Sequence, residues 1–138
     1  KTYDFCKLFY ELGGMSEEGD GKPIKVTYHD SCHLKRSLKV SKEQRELLKH
    51  TKGVEFIEMN DCDNCCGFGG SYSLLYPEIS APILEKKIQN IKESGADVVA
   101  LDCPGCLMQI KGGLDARGIN DIKVKHTAEI IAEKRGLI

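Results

Sequence analysis

Asp97-Val98-Val99-Ala100-Leu101-Asp102-Cys103-Pro104-Gly105-Cys106 is the stretch that decides the fold. Its apolar run shows neither the alternation of a half-exposed strand nor the spacing of an amphipathic helix. A strand buried on both faces reads this way, and such strands lie centrally in parallel sheets. Two cysteines, Cys103 and Cys106, follow at once, and a short helix over about residues 105–116 is expected after them.

Working outward, strands and helices alternate. Leu84, Ile88 and Ile91 stripe a long helix from about Ser80 to Ser94, with Gly95 as its stop. Ile24, Val26 and Tyr28 alternate with Lys25 and Thr27 as a first strand, and Val54 to Ile57 reads as a second. Ser41 followed by Gln44 has the capping-box pattern and opens a helix to about His50. A weak strand is expected at Ile119–Val124, its run closing at His126, and Thr127 is expected to cap a last helix reaching Lys134. Phe5, Leu8, Phe9 and Leu12 stripe an N-terminal helix over residues 2–12, which a polar loop joins to the rest. The reading is therefore an α/β fold: a parallel sheet of about four strands with helices on both faces. Its organisation is a single domain over residues 1–138, with residues 1–22 as helix and loop and 23–138 as core.

Composition narrows the function. The chain has 138 residues, 41% hydrophobic and 30% charged, with 20 basic and 21 acidic side chains. That balance gives no general attraction to nucleic acid, and no apolar run approaches the ~20 residues of a membrane span. No signal peptide is legible in the polar start. A domain of this length does not need disulfide staples for its core. The 7 cysteines therefore call for metal or redox chemistry.

The strand map collects them. Cys32 follows the first strand, Cys62, Cys65 and Cys66 follow the second, and Cys103 and Cys106 follow the third. Right-handed crossovers put all these loops at one sheet edge, where ligands bind. The Cys103–Cys106 pair lies at a helix start, which favours thiolate. Alone it reads equally well as a thioredoxin-like dithiol, a reading that leaves Cys32, Cys65 and Cys66 unexplained. Cys65 and Cys66 are adjacent, and both can face one centre only from an irregular loop, for which Gly67, Gly69 and Gly70 supply the freedom. Zinc takes four ligands, so five thiols suit an iron–sulfur cluster better. Cys6 sits on the apolar face of the first helix and reads as core. His29, His33 and His126 flank the site in capping or supporting positions. Lys35, Arg36 and Lys39 read as a solvated face, or as balancing charge beside Cys32. Phe68, Tyr72 and Tyr76 are expected to pack and shield the centre.

Cys32, 32 intervening residues, Cys65-Cys66-Gly67, and then Cys103-Pro-Gly-Cys106 form a pattern that resembles the cysteine-rich CCG domain. That domain occurs in heterodisulfide reductases and in the iron–sulfur subunits of glycolate, lactate and anaerobic glycerol-3-phosphate oxidoreductases. The stretches His29-Asp-Ser-Cys-His33, Cys65-Cys-Gly-Phe-Gly-Gly-Ser71 and Cys103-Pro-Gly-Cys-Leu-Met-Gln109 are most similar to the hydroxy-acid oxidase branch.

The resemblance implies a non-cubane [4Fe-4S] cluster on Cys32, Cys65, Cys66, Cys103 and Cys106, with zinc on four of those thiols as the alternative. Cys62 departs from the pattern, forms a second C-x-x-C with Cys65, and is a further candidate ligand. The implied role is electron transfer from a flavoprotein dehydrogenase subunit alongside other iron–sulfur domains. The chain would be the C-terminal copy within a longer subunit, cytoplasmic or peripheral on the inner membrane face through partners. No catalytic residue is assigned. The competing functions are disulfide reduction at the cluster, as in heterodisulfide reductase, and a structural zinc module.

Overall fold

The computed structural model describes residues 2–138, and in it Val98–Leu101 is buried along its whole length. In chain order the elements are α1 (Phe5–Glu11), β1 (Ile24–Tyr28), a π-helix (His33–Leu38), α2 (Lys42–Lys49), β2 (Val54–Phe56) and α3 (Tyr72–Leu75). After these come α4 (Pro77–Ser94), β3 (Val98–Leu101), α5 (Pro104–Asp115), β4 (Lys123–His126) and α6 (Thr127–Lys134). All strands pair in parallel, in the order β2-β1-β3-β4. The α/β reading with a four-stranded parallel sheet and helices on both faces is therefore correct.

The two-residue period of a strand divides the core. Val98 and Ala100 pack with Val26, Tyr28, Leu48 and Ile130 on the face covered by α2 and α6. Val99 and Leu101 point the other way, into Ile88, Ile91, Ile110 and Leu114 of α4 and α5. Each fully buried aliphatic side chain of this kind contributes about 1.5–3 kcal/mol relative to exposure. α1 adds Cys6 to the α2/α6 side, where it is buried with Leu47 and Ile131. The apolar-face reading of Cys6 holds.

Several element boundaries and caps differ from expectation. Ser41 makes no capping hydrogen bond: its hydroxyl turns to Asp30 Oδ1 at 2.6 Å, and the Gln44 side chain is buried without a partner. The local capping signal loses here to a charged tertiary partner. α6 is capped by His126, not Thr127. His126 Nδ1 accepts from the Ala128 N–H at 3.1 Å, and Glu129 Oε2 accepts from the His126 N–H at 2.8 Å. β4 starts at Lys123, not Ile119, because Ile119 and Ile122 pack onto the α4/α5 core from the preceding loop. α4 begins at Pro77, and the π-helix and α3 have no counterpart in the sequence reading.

Candidate metal centre

The chain builds outward from β1 to β2 on one side, then returns to place β3 on the other. The boundary between β1 and β3 is thus a topological switch point, where the carboxyl ends of neighbouring strands diverge and leave a crevice. His29 extends β1 by one residue, its N–H donating to the Ala100 carbonyl at 2.9 Å. Alternation then sends His29 to the α4/α5 face, opposite to Tyr28. By the same rule Cys103 turns toward that face and Asp102 away from it. Asp102 instead accepts from the Tyr28 hydroxyl at 3.0 Å and the Cys6 thiol at 3.5 Å.

Among the described residues, one group brings three potential metal-ligand atoms within 4.8 Å of each other: His29, Cys66 and Cys106, all buried. Cys65 is the chain neighbour of Cys66, and its sulfur accepts from the Gly67 N–H. Cys32, Cys62 and Cys103 lie outside that group. Cys32 stands exposed at the start of the π-helix, and Cys103 is half-buried as the cap of α5. Cys62 is half-buried, and its carbonyl accepts from the Asp30 N–H at 3.1 Å.

Local chemistry holds these loops. Gly67 has φ +85°, and a β-carbon there would lie 2.7 Å from the Ser80 carbonyl oxygen. Only glycine lets the chain turn so close to α4. The Ser80 hydroxyl in turn donates to the Gly67 carbonyl at 2.7 Å, and the Gly67 N–H donates to Cys65 Sγ at 3.3 Å. The loop after β1 is fixed by Asp30, whose side chain is 1% exposed. It is gripped by Arg45 Nη2 at 2.7 Å, with Lys35 at 3.7 Å. Burial pushes the Asp30 carboxyl up, but the hydrogen bonds from Arg45 and Ser41 outweigh it and hold its pKa below the usual range. Lys35 also pairs with Asp63 at 3.0 Å, tying the π-helix to the Cys62 loop. The basic run beside Cys32 is therefore partly structural.

Three of the thiols, Cys62, Cys65 and Cys66, are held protonated in this arrangement. The hydrogen bond to Cys106 pushes Cys66 up to about 11, and the hydrogen bond to Cys66 together with burial raises Cys65 further. Burial raises Cys62. Burial and the nearby Lys87 charge hold His29 down at about 3, so its ring is neutral. Both His29 nitrogens are buried with no hydrogen-bond partner. Each orphaned polar atom costs about 1–3 kcal/mol. A thiophilic metal group fits this donor set: loading deprotonates the thiols and gives the imidazole a neighbour of matching chemistry.

Two features escape the sequence reading. His29 reads there as a flanking residue, yet it sits with Cys66 and Cys106. Lys87 passes unnoticed within the α4 stripe, although a lysine at one helical step from Leu84 and Ile91 is the available signal. His33 starts the π-helix and lines a groove with Tyr3 and Lys7, and His126 serves as a cap. Phe68 packs onto the α4/α5 core as expected, whereas Tyr76 is largely exposed and stacks at a tilt against Tyr72.

A family model described as a cysteine-rich domain, CCG, matches residues 26–111, which span every cysteine of the candidate centre. The chain belongs to the CCG cysteine-rich domain family. This CCG domain is 40% identical over 136 residues to lactate utilization protein A 1 of Bacillus mycoides (strain KBAB4), covering 98% of this chain and 55% of that protein. It is 40% identical over 132 residues to lactate utilization protein A of Bacillus subtilis (strain 168), covering 95% and 55%. It is also 40% identical over 138 residues to a probable glycolate oxidase iron-sulfur subunit of the same organism, covering 99% and 31%. The chain spans about half the length, or less, of these relatives. Among the described residues, no helix is long and apolar enough to cross a membrane.

Proposed function

We propose that this CCG domain is an iron–sulfur electron-transfer module of an oxidoreductase complex acting on a 2-hydroxy acid such as lactate or glycolate. The observation that carries the reading is the convergence of Cys66, Cys106 and His29 at the β1/β3 switch point, with the other motif cysteines on the loops around it. The names of the similar proteins, lactate utilization protein A and a probable glycolate oxidase iron-sulfur subunit, supply the substrate class. Cys32, Cys65, Cys66, Cys103 and Cys106 would hold a [4Fe-4S] cluster of non-cubane type. When bound, such a cluster supplies a one-electron site. The chain's own residues hold the loops and limit water: Asp30 and Arg45 fix the Cys32 side, Gly67 and Ser80 the Cys65–Cys66 side, and Phe68 covers Gly105. A flavoprotein dehydrogenase subunit would deliver the electrons.

Anaerobic reconstitution with ferrous iron and sulfide tests this. About four irons with matching sulfide, and an absorption band that bleaches on reduction, are expected. Uptake of zinc with no iron would overturn it in favour of a structural module. That second reading rests on a specific observation, since three ligand atoms within 4.8 Å suit one tetrahedral ion.

A further inference from the structure

Lys87 lies mid-way along α4 and is 1% exposed. Its ammonium donates to the backbone carbonyls of Asp61 at 2.7 Å and Cys62 at 3.3 Å. Among the described residues no carboxylate reaches it. The three acids of that loop are engaged elsewhere, Glu58 with Arg45 at 2.7 Å, Asp61 with Lys86 at 2.9 Å and Asp63 with Lys35 at 3.0 Å. The other buried lysine, Lys134, does have an acid, Asp20 at 3.0 Å. A buried ammonium without an anion keeps most of its desolvation penalty, which two neutral carbonyls offset only in part.

Lys87 faces the cysteine-bearing loop after β2. It lines one cavity with Cys65 and holds the Cys62 carbonyl; burial lowers its pKa, and thiolate charge on Cys62 or Cys66 works the other way. The His29 imidazole, which shares the group with Cys66 and Cys106, feels its charge as well. Metals bind cysteine as thiolate, so four thiolates on one divalent ion already leave net negative charge, as do five on a cluster. The unpaired cation thus sits against the loop that would carry part of that negative charge.

We propose that Lys87 is the fixed counter-charge of the metal centre, anchoring the Cys62 loop through its carbonyls while stabilising the added electron. It is a positioning and tuning residue, not a ligand. The inference deepens the reading above: the counter-charge requires only that the site hold a thiolate-bound metal, and its effect on the added electron rests on that reading. A positive charge close to the centre favours its reduced form and so raises its reduction potential.

The test compares Lys87→Gln, Lys87→Met and Lys87→Arg in the whole chain, reconstituted anaerobically with ferrous iron and sulfide. The potential is read by dithionite titration followed by electron paramagnetic resonance. Gln keeps a donor for the carbonyls without the charge, Met removes both, and Arg keeps both. Both neutral variants are expected to shift negative by tenfold in the one-electron equilibrium, about 59 mV, with Arg near the unsubstituted protein. An unshifted potential in Lys87→Gln overturns the proposal and leaves Lys87 a loop anchor. If neither neutral variant takes up iron, loading of Lys87→Arg supports the proposal and its failure to load overturns it. If the unsubstituted chain binds zinc and no iron, the electron-transfer reading fails alone. The comparison then moves to zinc affinity, where a tenfold loss in Lys87→Gln supports the counter-charge and an unchanged affinity overturns it.

Discussion

The Phe68 ring lies so close over Gly105 that a β-carbon at 105 would fall 2.5 Å from it. This contact locks the loop carrying Cys65 and Cys66 onto the first turn of α5, which carries Cys106. Gly105→Ala must push one of them away. Overpacking of this kind costs about 1–3 kcal/mol, and the displacement separates the two halves of the centre. A lower thermal midpoint and at least tenfold weaker metal uptake are expected. Adding Phe68→Leu, which frees the space, should recover part of the stability, as a thermal melt of the double variant would reveal.

The fold is legible in the sequence where burial alone chooses the residue. Val98–Leu101 is apolar because both faces of β3 are covered, and that requirement leaves a mark no other local structure leaves. The collection of cysteines at one sheet edge follows from the strand order. What escapes are residues serving two demands at once. Ile119 and Ile122 are apolar for the core yet sit in a loop, so their pattern imitates a strand. Ser41 has the composition of a cap, but its hydroxyl answers Asp30, which is distant in sequence. Lys87 breaks an apolar stripe for reasons that exist only once the Cys62 loop is folded against α4. Within the centre, the part played by His29 depends on the side-chain alternation of β1 past its last ladder residue, which the sequence marks only faintly.

The thiols differ in reach. Cys32 is exposed, whereas Cys6 is buried, and burial together with Asp102 pushes its pKa far above the usual thiol range. Thiolate is the reacting species. In brief alkylation of the metal-free native chain, Cys32 should be modified well before Cys6, which should react only after denaturant is added. Peptide mass mapping reads the order. Early labelling of Cys6 would show that α1 does not stay packed on α2 and α6.

Lys134, at the end of α6, holds the loop before β1 by donating to Asp20 Oδ1 at 3.0 Å and to the Lys22 carbonyl at 2.5 Å. The hydrogen bond from Lys134 holds the Asp20 pKa below its ordinary value of 3.8. A depressed carboxyl binds fewer protons folded than unfolded. Its stabilisation is therefore present above the unfolded pKa and is lost as pH falls through the lower folded one. Asp20→Asn should flatten the loss of thermal stability below about pH 4 while leaving the neutral-pH slope unchanged. Melts recorded from pH 7 to pH 2.5 check this, and an unaltered acid limb in Asp20→Asn would be the contrary result.

Arg45 is the keystone of the Cys32 side. It reaches Asp30 through two nitrogens, at 3.0 Å and 2.7 Å, and Glu58 through two, at 2.7 Å and 2.9 Å. Its guanidinium also lies 4.9 Å from the centre of the Tyr28 ring. Asp30 is buried and precedes Cys32 by two residues, and its N–H holds the Cys62 carbonyl. Arg45→Met strands that carboxylate in the interior, with only the Ser41 hydroxyl at 2.6 Å and the Lys35 charge at 3.7 Å to answer it. Removing one partner of a buried pair costs about 3–5 kcal/mol. The double variant Arg45→Met/Asp30→Asn no longer buries a charge and should regain a substantial share, so the two effects are strongly non-additive. Urea unfolding of the two single variants and the double variant measures the coupling. Simple additivity would mean that the clamp does not hold the loop that presents Cys32.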